Sequence, residues 1–159
     1  MIGREEYEAF LAEVRKTAGL ECLVPDEGGL AGVRVDDAYN VNLQFVEATG
    51  KMLCFIEVAQ LPVDADKAVY RDLLAGGLFG KMTAGGYFAL EPETETVVYN
   101  YLFDLEGLEP DDFVETIEKM LQLCDLWVER IKNAASGTDD GADHSADAHK
   151  RMDEVRLVP

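Results

Sequence analysis

The chain is poor in the residues that most reactions and most nucleic-acid contacts need. It has two histidines, one tryptophan and three cysteines, and its 14 lysines and arginines face 32 aspartates and glutamates. The formal net charge of −18 would repel phosphates rather than neutralise them. Nucleic acid is therefore excluded as an expected partner, and so is an anionic membrane surface. No apolar run approaches the roughly 20 residues of a membrane span, so no membrane insertion is expected. The opening residues MIGREEYEAF lack the basic region and apolar stretch of a secretory signal, and a cytoplasmic location is expected.

The cysteines Cys22, Cys54 and Cys124 are far apart and show no CxxC spacing; they read as reduced, mostly buried thiols. His144 and His149 both lie in a polar stretch, away from any thiol they could activate. There is no HExxH, calcium loop, Cys/His cluster or GxSxG elbow. Gly80-Lys81 is followed by Met82 and preceded by a helical segment, which does not make a phosphate loop. Neighbouring carboxylates such as Asp36/Asp37 and Asp111/Asp112 read as turn formers and helix-dipole partners. A small enzyme using carboxylates would need a burial-shifted pair. No catalytic residue, metal or cofactor is expected, and the chain is not expected to be an enzyme.

What is present is apolar patterning. Hydrophobic residues make up 48% of the chain, enough for a packed core. Tyr7, Phe10, Leu11, Val14 and Ala18 recur at spacings of three and four, predicting a helix from Arg4 to Ala18 that stops at Gly19. Leu30–Asp36 and Tyr39–Phe45 then alternate with a period of two, separated by an Asp36-Asp37 turn. Met52–Leu61 is apolar on both faces, with Met52, Cys54, Ile56 and Val58 on one and Leu53, Phe55 and Ala59 on the other. These three segments read as an antiparallel meander. After Pro62, Asp64 or Asp66 can cap a helix running to about Leu78. Gly86–Leu90 and Glu95–Asp104 form a hairpin, with Val97, Tyr99, Tyr101 and Phe103 on one face. Pro110 opens the last helix, whose buried stripe is Phe113, Ile117, Met120, Leu121, Cys124, Val128 and Ile131, widened by Leu123 and Trp127.

The order α-β-β-β-α-β-β-α defines an α+β fold: a twisted antiparallel sheet carrying three helices. Composition changes near Asn133. Residues 1–133 read as one domain, and residues 134–159 as a polar acidic tail, flexible or ending in a short helix. The apolar excess outside a single core leaves surface for another chain, most simply a second copy.

Several segments together resemble the class I chaperones of type III secretion, the Tir-chaperone (CesT) family. They are Val33-Arg34-Val35-Asp36-Asp37 leading into Tyr39–Phe45, Leu61-Pro62 before the middle helix, and Leu73 through Gly80. Gly85 through Pro92, and Leu105-Glu106-Gly107-Leu108 before a helix ending in Leu126-Trp127, complete the set. The likeness spans about residues 4–133, and the tail departs from it. It implies a secretion-chaperone-like domain and a cytosolic homodimer. Such a dimer binds the N-terminal, non-globular segment of a secreted effector and keeps it soluble and secretion-competent without hydrolysing ATP. By the same analogy Leu74, Leu78, Phe79, Phe88 and Leu90 are expected at the dimer interface. Phe10, Val14, Leu53 and Phe55 are the expected effector-binding residues. An adaptor or regulator on the same fold, binding a folded partner, is the alternative.

Overall fold

The computed structural model describes residues 1–135. Helix α1 (Arg4–Ala18) opens with the Glu6 carboxylate accepting from the Gly3 N–H at 2.9 Å. It closes on Gly19, whose φ of 68° is the left-handed geometry that lets its N–H reach the Arg15 carbonyl. Strands β1 (Leu30–Val35), β2 (Tyr39–Val46) and β3 (Lys51–Gln60) form the expected meander. Asp36 and Asp37 both take positive φ, 53° and 51°, which matches the twist of the strands they join.

Helix α2 (Lys67–Gly76) is capped by Asp66, whose carboxylate accepts from the Ala68 N–H at 2.8 Å. It ends two residues short of the expected Leu78, where the Gly76-Gly77 pair weakens it, and Leu78–Gly80 forms a separate 3₁₀ turn. Strands β4 (Tyr87–Glu91) and β5 (Thr96–Asp104) complete the sheet, and α3 (Pro110–Ala135) is the long closing helix. The expected domain boundary near Asn133 falls in the last turn of α3; the rest of the predicted tail lies outside the described residues.

The sheet is wholly antiparallel in the order β1-β2-β3-β5-β4, leaving β1 and β4 as edges. A bulge at Val58 puts one extra residue of β3 opposite β5. The helices pack on one face. Tyr7 of α1 stacks on Phe45, with ring centres 5.2 Å apart. Phe113 of α3 meets Phe103 at 5.1 Å, and Trp127 meets Phe88 at 4.7 Å. Met52, Cys54, Ile56, Val97 and Tyr99 are buried beneath them.

Trp127 is more central than its place at the margin of the sequence stripe implied. Its Nε1–H donates to the Met82 carbonyl at 2.9 Å, and its ring lies directly over Gly76. Arg130 completes the junction, sitting 5.2 Å above the Trp127 ring and gripping Asp72 of α2 through two hydrogen bonds of 2.5 and 2.6 Å. A β-carbon on Gly76 would collide with the indole, so only glycine lets α2 approach α3 this closely.

Candidate binding surfaces

The face of the sheet opposite the helices is divided by chemistry. Strand register sets Leu53 beside Leu102, and lines up Asn42, Phe55, Asn100 and Tyr87 in one row. Glu57, Val98 and Ala89 make the next row. The half built from β3, β5 and β4 is thus mainly apolar: Leu53, Phe55, Val98, Leu102 and Tyr87. Leu102 is 45% exposed and Tyr87 52%. The half nearer β1 is polar. Arg34 donates to Asn40 at 2.9 Å, Asn40 donates to Glu57 at 3.0 Å, and Gln44 donates to the Gly28 carbonyl at 2.8 Å.

The four residues expected to bind a guest do not converge. Leu53 and Phe55 lie half-buried at the centre of the open sheet face. Phe10 lies on the helical side, half-buried, with its ring edge-on to Phe113 at 5.6 Å. Val14 is fully buried in the core, so it offers no accessible surface. Helical periodicity had placed it on the same stripe as Tyr7 and Leu11, and that stripe is core. The sequence reading does not include Leu102, and it counts Tyr87 in the apolar excess without assigning it to the guest. The signal was present: Tyr99, Tyr101 and Phe103 claim one face of β5, which leaves Val98, Asn100 and Leu102 for the other.

The second surface follows α2. Leu74 is 80% exposed, Leu78 61% and Phe79 85%. Leu90, on the edge strand β4, is exposed as well. Phe88 is different: its ring packs between Trp127 and Tyr99, so most of it belongs to the core. Phe79 also has a left-handed backbone, φ 57° and ψ 16°, a conformation that costs a residue with a β-carbon on the order of 1–2 kcal/mol.

Neither surface holds reactive groups. Cys54 and Cys124 are buried. Burial, together with the nearby Asp125, pushes the Cys124 thiol up from its ordinary 9.0 to about 12, and burial pushes Cys54 in the same direction. Both are protonated and poor nucleophiles at neutral pH. Among the described residues no group of three or more His, Cys, Asp or Glu side chains could hold a metal ion. No helix among them is long and apolar enough to cross a membrane.

A test follows from the thiols. Ellman's reagent is expected to label Cys22 alone in the native protein and all three cysteines after unfolding, since only Cys22 is exposed. The unfolded state loses thiol protons near pH 9.0, whereas native Cys124 keeps its proton to about 12. Between those values the native state binds more protons, so stability falls as pH rises, and below pH 9 these thiols leave it unchanged. Chemical denaturation across pH 8–9.5 measures this, below the range in which the buried Tyr7, Tyr39 and Tyr99 hydroxyls, also raised from 10.0 by burial, add the same trend; a flat profile would mean that the thiols are accessible.

This fold is shared with chains of several solved complexes. A chain of the ExsC–ExsE complex matches with a TM-score of 0.71 at 21% identity, over 81% of this chain and 96% of that one. A chain of the HopA1–SchA chaperone–effector complex matches at 0.67 and 19% identity, over 79% and 95%. The Yersinia pestis type III secretion chaperone SycH, in complex with a stable fragment of YscM2, matches at 0.61 and 17% identity, over 76% and 98%. The fold is that of a type III secretion chaperone. No curated protein sequence matches this chain significantly. The family model of the Tir chaperone protein (CesT) family matches residues 9–127, and the chain belongs to that family.

Proposed function

We propose that this protein is a cytosolic, non-enzymatic type III secretion chaperone. It acts as a homodimer, and it binds the N-terminal, non-globular segment of a secreted effector, keeping that segment soluble and ready for secretion. The observation that carries this reading is the open sheet face. Leu53, Phe55 and Leu102 form an apolar strip that the described helices leave uncovered. The dimer reading is supported by the exposed ridge of Leu74, Leu78 and Phe79 beside the unpaired edge of β4.

Physical chemistry supports an unfolded guest. An extended segment must satisfy its backbone, and an unpaired sheet edge supplies partners for it. Ordering that segment is costly, so a broad apolar surface is needed to offset it. The net charge of −18 keeps a protein with exposed apolar patches in solution and favours guests with basic residues near their anchors.

The test is co-expression with a tagged effector, first whole and then as its N-terminal segment alone. The segment is expected to co-purify with two chaperone copies, read by light scattering on the eluted complex. Capture that requires the folded part of the effector, and fails with the isolated segment, would replace this reading with that of an adaptor for a folded partner.

A further inference from the structure

The apolar strip on the open sheet face closes differently at its two ends. Along β3 the side chains on this face are Lys51, Leu53, Phe55 and Glu57 in turn, with Asp104 of β5 beside Lys51 and Leu102 beside Leu53. At the first end the charges cancel, because the Lys51 Nζ lies 3.5 Å from the Asp104 carboxylate. At the other end Glu57 is exposed, and among the described residues no lysine or arginine stands within ion-pair distance of it.

The hydrogen bonds around Glu57 hold its carboxylate without neutralising it. Its donor is the uncharged Asn40 amide, at 3.0 Å. That amide would lose a bond by turning over, since its oxygen already accepts from the Arg34 guanidinium at 2.9 Å. Arg34 is held on the far strand, with a second nitrogen donating to the Asp37 carbonyl at 2.8 Å. The cation of this ladder therefore sits two strands away from the carboxylate it could have paired with. An oriented carboxylate without a cation is left one row from Phe55.

Same-face neighbours along a strand stand about 7 Å apart, the spacing of alternate residues in any extended chain. A guest laid along β3 with an apolar side chain on Phe55 thus brings the residue two positions away over Glu57. A long basic side chain suits that place. Its stem can lie on Val98, which neighbours Glu57 in the same row, while its head meets the carboxylate. An acid there would face a like charge, and an apolar residue would strip water from Glu57 and give nothing back.

We infer that Glu57 sets the charge specificity of the strip: it selects a guest segment that carries Arg or Lys two residues from the apolar side chain covering Phe55. The inference rests on the guest strip proposed above, and it gives that strip a direction, since the Lys51–Asp104 end has no such carboxylate to offer.

A library of random peptides displayed on phage, selected on the full chain, tests this; peptides that also bind Phe55→Asp are removed. The unmodified protein is expected to return alternating apolar residues with Arg or Lys two positions from one of them. Glu57→Gln keeps an oxygen for the Asn40 amide and removes only the charge. It is expected to return the same apolar pattern without the basic position, and Glu57→Lys to return Asp or Glu there. The glutamine variant decides alone should the lysine variant misfold by circular dichroism. One selected peptide, followed by fluorescence anisotropy, is expected to bind Glu57→Gln about three- to tenfold more weakly, with the gap closing as salt rises. Glu13→Gln makes the same change of net charge at an exposed position on α1 and is expected to leave binding unchanged. A basic position that persists in Glu57→Gln, or an equal loss in Glu13→Gln, would trace the preference to net charge and overturn the role of Glu57 while leaving the strip standing. An apolar pattern with no basic position would do the same. No apolar pattern from the unmodified protein would overturn the strip, and Glu57 with it.

Discussion

Trp127→Ala is expected to lower the thermal midpoint by roughly 10 °C or more, the largest stability loss of any single truncation at the junction of α2, α3 and β4. The indole is buried, packs on Phe88 at 4.7 Å and covers Gly76. Removing such a ring from a packed core costs about 3–5 kcal/mol. Two further losses follow from the geometry. The Met82 carbonyl loses its donor, and Arg130 loses the ring it sits over while still facing Asp72. Trp127→Phe separates these effects, because it keeps most of the packing and removes one hydrogen bond worth about 1 kcal/mol. Calorimetry of the three proteins side by side gives the measurement. A loss of less than about 3 °C for the alanine variant would show that α2 is held in place by something other than this ring.

That junction also marks where the sequence stopped being informative. Most of the fold could be read from patterning alone. The period of 3.6 over Arg4–Ala18, the alternation over Tyr39–Phe45 and the Pro110 start of α3 each carry a local rule that the structure obeys. The end of α2 does not follow from propensity alone. The glycine pair weakens the helix there, and an indole 51 residues away along the chain from Gly76 lies against that glycine, a contact that the local sequence does not announce. In the run Gly76-Gly77-Leu78-Phe79-Gly80 the positive φ of Gly80 is what a glycine leads one to expect, but nothing in the sequence says that Phe79 takes one too.

The surfaces were half legible for a related reason. Periodicity assigns residues to a face, but it does not say whether another element covers that face. Val14 and Phe10 share a stripe, yet Val14 lies under the sheet-facing side of α1 and Phe10 at its margin against Phe113. Leu53 and Phe55 were recognisable because β3 is apolar on both sides, which a strand with one wet face has no need to be. The alternation of β5 and β4 gives the face of Leu102 and Tyr87, but that they stand next to Leu53 and Phe55 emerges only with the register of β3 on β5 and of β4 on β5.

Those same neighbours are the reason to expect a large effect from Phe55→Asp. Phe55 sits between Asn42 and Asn100, one row from the Leu53–Leu102 pair, near the middle of the apolar strip. A carboxylate there would be placed under any apolar side chain of a guest, without a basic group of β3 or β5 in its row to pair with. Removing a central aromatic anchor costs an interface at least about 2 kcal/mol, and an unpaired buried charge adds to that loss. Binding of the effector's N-terminal segment, followed by calorimetric titration or by co-purification, is therefore expected to fall at least thirtyfold. The fold should survive, because the ring is only partly buried and makes no aromatic contact in the core cluster around Phe45, Phe88 and Phe103. Asn42→Asp makes the informative control: it adds the same charge one strand away, on the polar half, where a solvated side chain is already present. Equal losses in the two variants would point to a general effect of a new charge on this face, whereas a loss confined to Phe55→Asp would assign the strip itself. Unfolding of the Phe55 variant, seen by circular dichroism, would instead place this ring among the residues that hold the sheet together.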